Sequence, residues 1–211
     1  MIRILIADDH TIMREGLRQL LLAAGDLDVV GEACDGHEVL HQVRALEFDV
    51  LLLDMSMPGR SGMDLIRQVK AEKGKLRILV LSMHEEHQYA VRAIKAGASG
   101  YLTKESASTQ LVSAIRKVAA GGAFISAEVA QQLALAAMPD ADGPPHAALS
   151  DREFQVFRML VAGTTVTDIA ARLNLSSKTV STHKARLMEK LSVGNHTELI
   201  HYALKHRLGD D

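Results

Sequence analysis

The run FDVLLLDMSMPG (residues 48–59) decides how this chain is read. Val50, Leu51, Leu52 and Leu53 form an unbroken apolar segment that ends on a carboxylate, Asp54, and the Pro58-Gly59 turn signal follows. An apolar run of this length, bounded by turn residues, reads as a strand buried on both faces. Burying an ionised carboxylate is costly, so the pattern places Asp54 at the strand's mouth, within reach of water, a metal or a cation.

Working outward, the first 120 residues alternate short β-type runs with segments of helical period. The strand candidates are IRILIA, LDVVGEA, DVLLLD, LRILVLS and GYLT. Helical patterns cover residues 11–24, 36–46, 62–71, 86–96 and 108–120. Strands each followed by a helix predict an α/β doubly wound domain with a five-stranded parallel sheet. Its ligands belong at the carboxyl ends of the strands, near the point where the strand order reverses.

Past Gly121-Gly122 the character changes. A helix is expected over about 126–138, and PDADGPPHAA then reads as linker. From Leu149 on the pattern is purely helical, with starts marked by Ser150-Asp-Arg-Glu153, by Ser176 or Ser177, and by Asn195 with Glu198. The expected division is 1–122, a linker over 123–148, and a small all-α domain over 149–211.

Composition narrows the class. The chain has 211 residues, 47% hydrophobic, with a net charge of −2, which suits a globular protein. No apolar run nears the ~20 residues of a bilayer span, and the N-terminus lacks a signal-peptide layout. The single cysteine, Cys34, fits a reducing cytoplasm and reads as a small buried hydrophobe. Only residues 149–211 lean basic, with nine Lys/Arg against seven Asp/Glu, which permits nucleic-acid binding there.

In a doubly wound sheet the first and third strands are neighbours, so Asp8 and Asp9, at the end of IADDH, converge on Asp54. Three carboxylates this close repel unless a cation joins them, and hard oxygen donors suit Mg²⁺, with Mn²⁺ the alternative. The fourth strand ends on Ser82 and the fifth, YLTK, on Lys104. A nucleophilic carboxylate, a metal site, a hydroxyl and an ammonium are the parts for receiving a phosphoryl group on Asp54. Taken singly, Asp8 and Asp9 would be helix caps and Lys104 a surface lysine; the ordered set at four strand ends argues otherwise.

Residues 1–122 resemble the receiver domain of bacterial two-component response regulators. The resemblance rests on Asp8-Asp9, Asp54 with Met57-Pro58-Gly59, Ser82, and GASGYLTK with Tyr101 and Lys104. Residues 149–211 resemble the LuxR-type helix-turn-helix output domain of the NarL/FixJ group, through LSDRE and DIAARLNLSSKTVSTHKARLMEKL. The resemblance implies a flavodoxin-like receiver phosphorylated on Asp54 by a sensor histidine kinase, with the Ser56 carbonyl completing the metal shell. It also implies that a phosphoryl oxygen draws the Ser82 hydroxyl inward while the Tyr101 ring follows. The partners implied are double-stranded promoter DNA, RNA polymerase and a second copy of the chain, in the cytoplasm and away from membranes. Two departures stand out: Glu105 follows Lys104 where many receivers carry proline, and Ser181 stands where relatives often carry lysine.

The third C-terminal helix, about 177–191, carries Lys178, His183, Lys184, Arg186 and Lys190, with Val180, Leu187 and Leu191 on one face. A charged helix face is usually only solvated, but a short helix, a turn and a capped basic helix form the helix-turn-helix order. The expected DNA-facing set is Lys178, Thr179, Ser181, Thr182, His183, Lys184, Ala185, Arg186 and Lys190, with Ser181, Thr182 and Ala185 placed to meet base edges. Leu199, Ile200, Ala203 and Leu204 form an apolar stripe read as the surface pairing two output domains. The rival readings are an aspartyl-phosphate hydrolase or phosphatase, and a receiver-like domain that works without phosphorylation. Against the first, no second carboxylate stands out as a dedicated acid and the tail is small; the complete acidic triad argues against the other. His84 and His87 lack the i, i+4 spacing of a zinc-binding helix and read as a loop running into a capped helix, while His37 and His41 have that spacing but no nearby third ligand and read as a solvated face.

Overall fold

A computed structural model describes residues 1–57, 62–83, 87–135, 144–206 and 208. The Pro58-Gly59 turn, His84 of the HEEH segment and residues 136–143 of the linker lie outside the described residues. The chain divides into two units, Met1–Leu133 and Ala134–Asp211.

In the first unit, β1 (Ile2–Ala7), β2 (Leu27–Ala33), β3 (Val50–Asp54), β4 (Arg77–Ser82) and β5 (Gly100–Thr103) make one parallel sheet ordered β2-β1-β3-β4-β5. They alternate with α1 (Thr11–Leu22), α2 (Gly36–Ala45), α3 (Gly62–Glu72), α4 (His87–Ala96) and α5 (Lys104–Ala119). The two-residue strand period sorts the core. Leu5, Leu51, Leu53, Ile78 and Val80 face the cluster built with α2, α3 and α4, while Ile4, Ile6, Val50, Leu52, Leu79 and Leu81 face α1 and α5. Every residue of β3 is buried, Asp54 included. The doubly wound fold is as the hydrophobic pattern foretold.

Three local features differ from the sequence reading. Helix α5 starts at Lys104, not near residue 108, because the Thr103 hydroxyl accepts from Ser106 N and caps it. The polar Lys104-Glu105-Ser106 stretch is therefore the first helical turn, and the Lys104–Glu105 peptide is trans. Cys34 is exposed, since Ala33 takes the inward position at the end of β2 and the chain turns outward to the Asp35 cap of α2. Finally, the first unit runs beyond residue 122. Phe124 N donates to Ser99 O at 3.2 Å and Tyr101 N to Phe124 O at 2.8 Å, so this segment covers the free edge of β5. Next, α6 (Ala127–Leu135) buries Val129 in the core on the α2–α3–α4 side, with Ile125 and Leu133 against it.

The second unit follows a 3-10 turn at Pro145–Ala148 with α7 (Asp151–Val161), α8 (Val166–Leu173), α9 (Ser177–Leu191) and α10 (His196–Lys205). Ser150 and Glu153 form the expected capping box, and Thr165, Ser176 and Asn195 cap the other three helices. Between α8 and α9, Asn174 adopts a left-handed φ of 53° and Leu175 N reaches back to Ala170 O at 2.9 Å, which makes the turn tight. Phe154, Phe157, Ile169, Val180, Leu187, Leu199 and Ala203 are buried. The dimerisation stripe needs correction: Leu199 and Ala203 have no exposed surface and serve this unit's own core. Only Ile200, half-buried, and Leu204, 65% exposed, face outward.

Gly100 is where sheet and edge segment come closest. A Cβ there would meet Leu79 Cδ1 at 2.9 Å, Phe124 O at 3.0 Å and Phe124 Cβ at 3.1 Å. Gly100→Ala is expected to destabilise the first unit by about 1–3 kcal/mol, the usual cost of overpacking a filled core. Urea unfolding of the full chain checks this; a midpoint equal to the parent's refutes the close-approach account.

Candidate functional site

The carboxyl end of the sheet gathers side chains from three places. Asp8 leaves β1, Asp54 ends β3 and Lys104 opens α5 directly after β5. Lys104 Nζ lies 2.7 Å from Asp8 Oδ2 and 2.9 Å from Asp54 Oδ2. The other Asp54 oxygen accepts from Ser56 N at 3.1 Å. Asp8 Oδ1 accepts from His10 N at 2.8 Å. Ser82, at the end of β4, is fully buried, and its Cα pairs with Thr103 of β5. Tyr101 is buried in the core that includes Ala90 and Val91 of α4.

Asp54 stands at the end of β3 within reach of a cation, as the sequence suggested. Its side chain is wholly buried and met by an ammonium from α5. Burial pushes the Asp54 carboxyl above its ordinary pKa, and the hydrogen bond and charge of Lys104 oppose that rise. For Lys104, burial works against the ammonium, but its hydrogen bonds to Asp8 and Asp54 outweigh it and raise the pKa. Lys104 is therefore an ammonium throughout the physiological range, and it neutralises part of the carboxylate cluster.

Asp8, Asp9, His10 and Asp54 each offer a donor atom, and these atoms lie within 4.8 Å of one another. Asp9 Oδ1 is buried and accepts no hydrogen bond, although His10 Nδ1 approaches to 3.0 Å. A compact oxygen-rich set containing an unsatisfied carboxylate oxygen fits a divalent cation. Sequence reasoning found the three carboxylates but missed His10, which stands next to Asp9, and Arg14, whose guanidinium donates to Asp8 O at 2.7 Å.

The second unit presents a different surface. On α9, Lys178, Ser181, Thr182, Ala185 and Arg186 are exposed, and Thr179, His183 and Lys184 partly so, while Val180, Leu187 and Leu191 anchor the opposite face. The Thr182 hydroxyl donates to Lys178 O at 3.0 Å, so its oxygen and methyl remain for an outside partner. Lys190, also exposed, has a partner inside its own unit. Its Nζ lies 2.7 Å from Glu153 Oε2 and 3.2 Å from Ala148 O, which ties the end of α9 to the capping box of α7. Nothing in the local sequence announces a partner that far away in the chain.

The two units match two families. Residues 4–116 match the response regulator receiver domain, and residues 147–203 match the bacterial regulatory proteins of the luxR family. The response regulator UvrY of Escherichia coli K12 is 39% identical over 209 residues, covering 99% of this chain and 96% of the relative. A structure of the RcsB response regulator from Salmonella typhimurium is similar at 31% identity, with 97% of each chain covered and a TM-score of 0.75. Another, of RcsB bound to promoter P1flhDC with the phosphomimetic BeF3⁻, covers 95% of this chain and 97% of that one at 31% identity, with a TM-score of 0.71.

The Glu153–Lys190 pair has a pH signature. Burial raises the Glu153 pKa, but hydrogen bonds from Lys190 and Ser150 overcome this and leave it lowered. A carboxyl lowered on folding adds stability above its unfolded pKa of about 4.3 and loses it as pH falls through the folded value. Because Lys190 is 40% exposed, Lys190→Ala is expected to cost only about 1 kcal/mol at neutral pH. Unfolding of parent and variant from pH 7 to pH 3 checks this: the difference should shrink below about pH 4.

Proposed function

The chain belongs to the response regulators that join a receiver domain to a luxR-family regulatory domain, and on that premise we propose that phosphorylation of Asp54 controls its binding to promoter DNA. The observation that carries this reading is the convergence of Asp8, Asp9, Asp54 and Lys104 at the carboxyl end of one sheet. The divisions proposed are a receiver over 1–122, a linking segment over 123–148 whose first part, through Leu133, packs onto the receiver, and the DNA-binding domain over 149–211.

An Asp54 carboxylate oxygen attacks the phosphorus of a phosphohistidine on a sensor histidine kinase. The P–N bond breaks, the imidazole leaves with the bonding pair, and an acyl phosphate remains on Asp54. Asp8, Asp9, Asp54 and the Ser56 carbonyl would hold Mg²⁺, or Mn²⁺ in its place; when bound, the cation offsets charge on the phosphoryl oxygens. Lys104, already 2.9 Å from Asp54, turns its ammonium to a phosphoryl oxygen, and Ser82 donates its hydroxyl to another. Movement of Ser82 lets Tyr101 shift between β5 and α4, which changes the surface around them and favours the dimer.

In the output domain, α9 enters the major groove. Lys178, Lys184 and Arg186 contact phosphates, while Ser181, Thr182 and Ala185 meet base edges, flanked by Thr179 and His183. Short side chains make that direct readout thin, so DNA shape carries part of the specificity. Ile200 and Leu204 on α10 offer an outward apolar surface for pairing two output domains on a two-fold-related site. The dimer acts on transcription through RNA polymerase. The proposed location is the cytoplasm; among the described residues no helix is long and apolar enough to cross a membrane.

The test has two readouts. With a small-molecule phosphodonor and Mg²⁺, the parent should take one phosphoryl group, mapped to Asp54, and bind promoter DNA more tightly. Asp54→Asn should do neither, and labelling of that variant at the parental level sinks the assignment. Lys184→Ala should weaken binding to all sequences alike and lower the slope of log affinity against log salt by about one. A parental affinity and slope would remove Lys184 from the interface.

A further inference from the structure

We infer that Arg14 is a positioning residue for the divalent-cation site, held in place by Glu32; the inference rests on the receiver reading above. The paired residues of β1 end at Ala7, which lies opposite Ala33 of β2 and Leu53 of β3. Asp8 N still donates to Ala33 O at 3.1 Å, but the Asp8 carbonyl lies past the last ladder pair. Arg14, in the first turn of α1, reaches back and donates from Nη1 to that carbonyl at 2.7 Å. Its Nε donates to Glu32 Oε2 at 3.1 Å, and Glu32 sits in β2 opposite Ile6. One guanidinium therefore connects the start of α1, the turn that carries Asp8 and Asp9, and the neighbouring strand.

This connection bears directly on the acidic cluster. Asp8 Oδ1 takes its hydrogen bond from His10 N and Oδ2 from Lys104 Nζ, so the carboxylate's aim depends on the backbone at Asp8. The sheet fixes that backbone from the nitrogen side and Arg14 from the carbonyl side. A planar fork suits the task, since it meets a carbonyl and a carboxylate at once with little further loss of side-chain freedom. An uncompensated arginine here would repel a bound cation, and Glu32 offsets its charge at 3.1 Å. Arg14 is 15% exposed whereas Arg18, 3.9 Å from the other Glu32 oxygen, is 52% exposed, so Arg14 is the inward member of the group.

The competing explanation is that Arg14 merely ties α1 to β2. The two differ in what a variant loses. On the full-length protein, Mg²⁺ affinity is measured by calorimetry and Asp54 labelling is followed across Mg²⁺ concentrations, with thermal unfolding alongside. Arg14→Ala should weaken Mg²⁺ binding about tenfold, as loss of an outer partner to a metal ligand does, while labelling at saturating Mg²⁺ returns to within about twofold of the parent. Glu32→Gln should weaken Mg²⁺ binding in the same direction, and Arg14→Lys, with a single donor point, should fall between parent and Arg14→Ala. Parental Mg²⁺ affinity in Arg14→Ala and Glu32→Gln, with only a lowered melting temperature, overturns the inference. Should Arg14→Ala fail to fold, parental affinity in Arg14→Lys and Glu32→Gln overturns it equally. A parent chain that binds no Mg²⁺ at all overturns the receiver reading itself, a different result from a parent that binds and a variant that binds equally.

Discussion

An aspartate with no exposed surface, at the end of a strand buried on both faces, must find a cation or give up its charge, and Asp54 finds Lys104 at 2.9 Å. Much of the first unit can be traced from that requirement. Helices on both faces dry the sheet, which leaves the carboxyl ends of the strands as the place where charged groups from different elements meet. Lys104 reaches Asp54 because β5 passes into α5 without a loop, and Thr103 makes that possible by capping the helix one residue earlier. β5 in turn is short and lies at the edge of the sheet; the backbone around Phe124 covers it, and Gly100 leaves the room for that approach. The position of one ammonium therefore depends on a cap, a helix start and an edge segment.

The second unit follows the same rule on a smaller scale. Glu153 is buried at the first turn of α7, and its charge is met by Lys190 from α9 and by Ser150 N. Lys190 turns its ammonium to Glu153 while staying partly exposed, so the last turn of α9 helps to hold the domain together while Lys178, Arg186 and the short side chains upstream stay outward. The division follows from geometry. Val180, Leu187 and Leu191 set which face is inward, and Lys190, beside Leu191, lies close enough to Glu153 to be drawn to it.

The hydrophobic pattern was enough to read the strands, the doubly wound sheet and the meeting of Asp8, Asp9 and Asp54, because short apolar runs alternating with helices and right-handed crossovers leave few arrangements open. It failed where the deciding partner is distant in the chain. The stripe Leu199, Ile200, Ala203 and Leu204 shows that α10 has an apolar face, but periodicity cannot say whether the covering surface belongs to the same domain; for Leu199 and Ala203 it does. Lys190 reads as one more basic residue until Glu153 is seen beside it. Cys34 was misplaced because composition speaks to where cysteines usually sit, and only the turn after β2 settles this one. Arg14 escaped notice for a related reason: its partners are a backbone carbonyl and a residue of another strand, neither of which carries a motif.

The arrangement also bears on how a change at Asp54 would travel. Lys104 divides its donors between Asp8 and Asp54, so a new anion on Asp54 must compete with Asp8 for the same ammonium. Ser82 is buried at the end of β4, and two residues back along the neighbouring strand Tyr101 fills the core against α4. That core is the one that receives Val129, Ile125 and Leu133 from the segment after α5. Packed interiors do not yield gradually; they shift between discrete arrangements, because a side chain that moves must find a new well among its neighbours. A displaced Tyr101 would therefore act on the packing of α4, in the same core that α6 enters through Val129. The β5 edge reinforces this link, since Tyr101 N is itself hydrogen-bonded to Phe124 O at 2.8 Å, immediately before that segment begins. If phosphorylation moves Tyr101 as proposed, the chain leaving the receiver is already attached to the residue that moves.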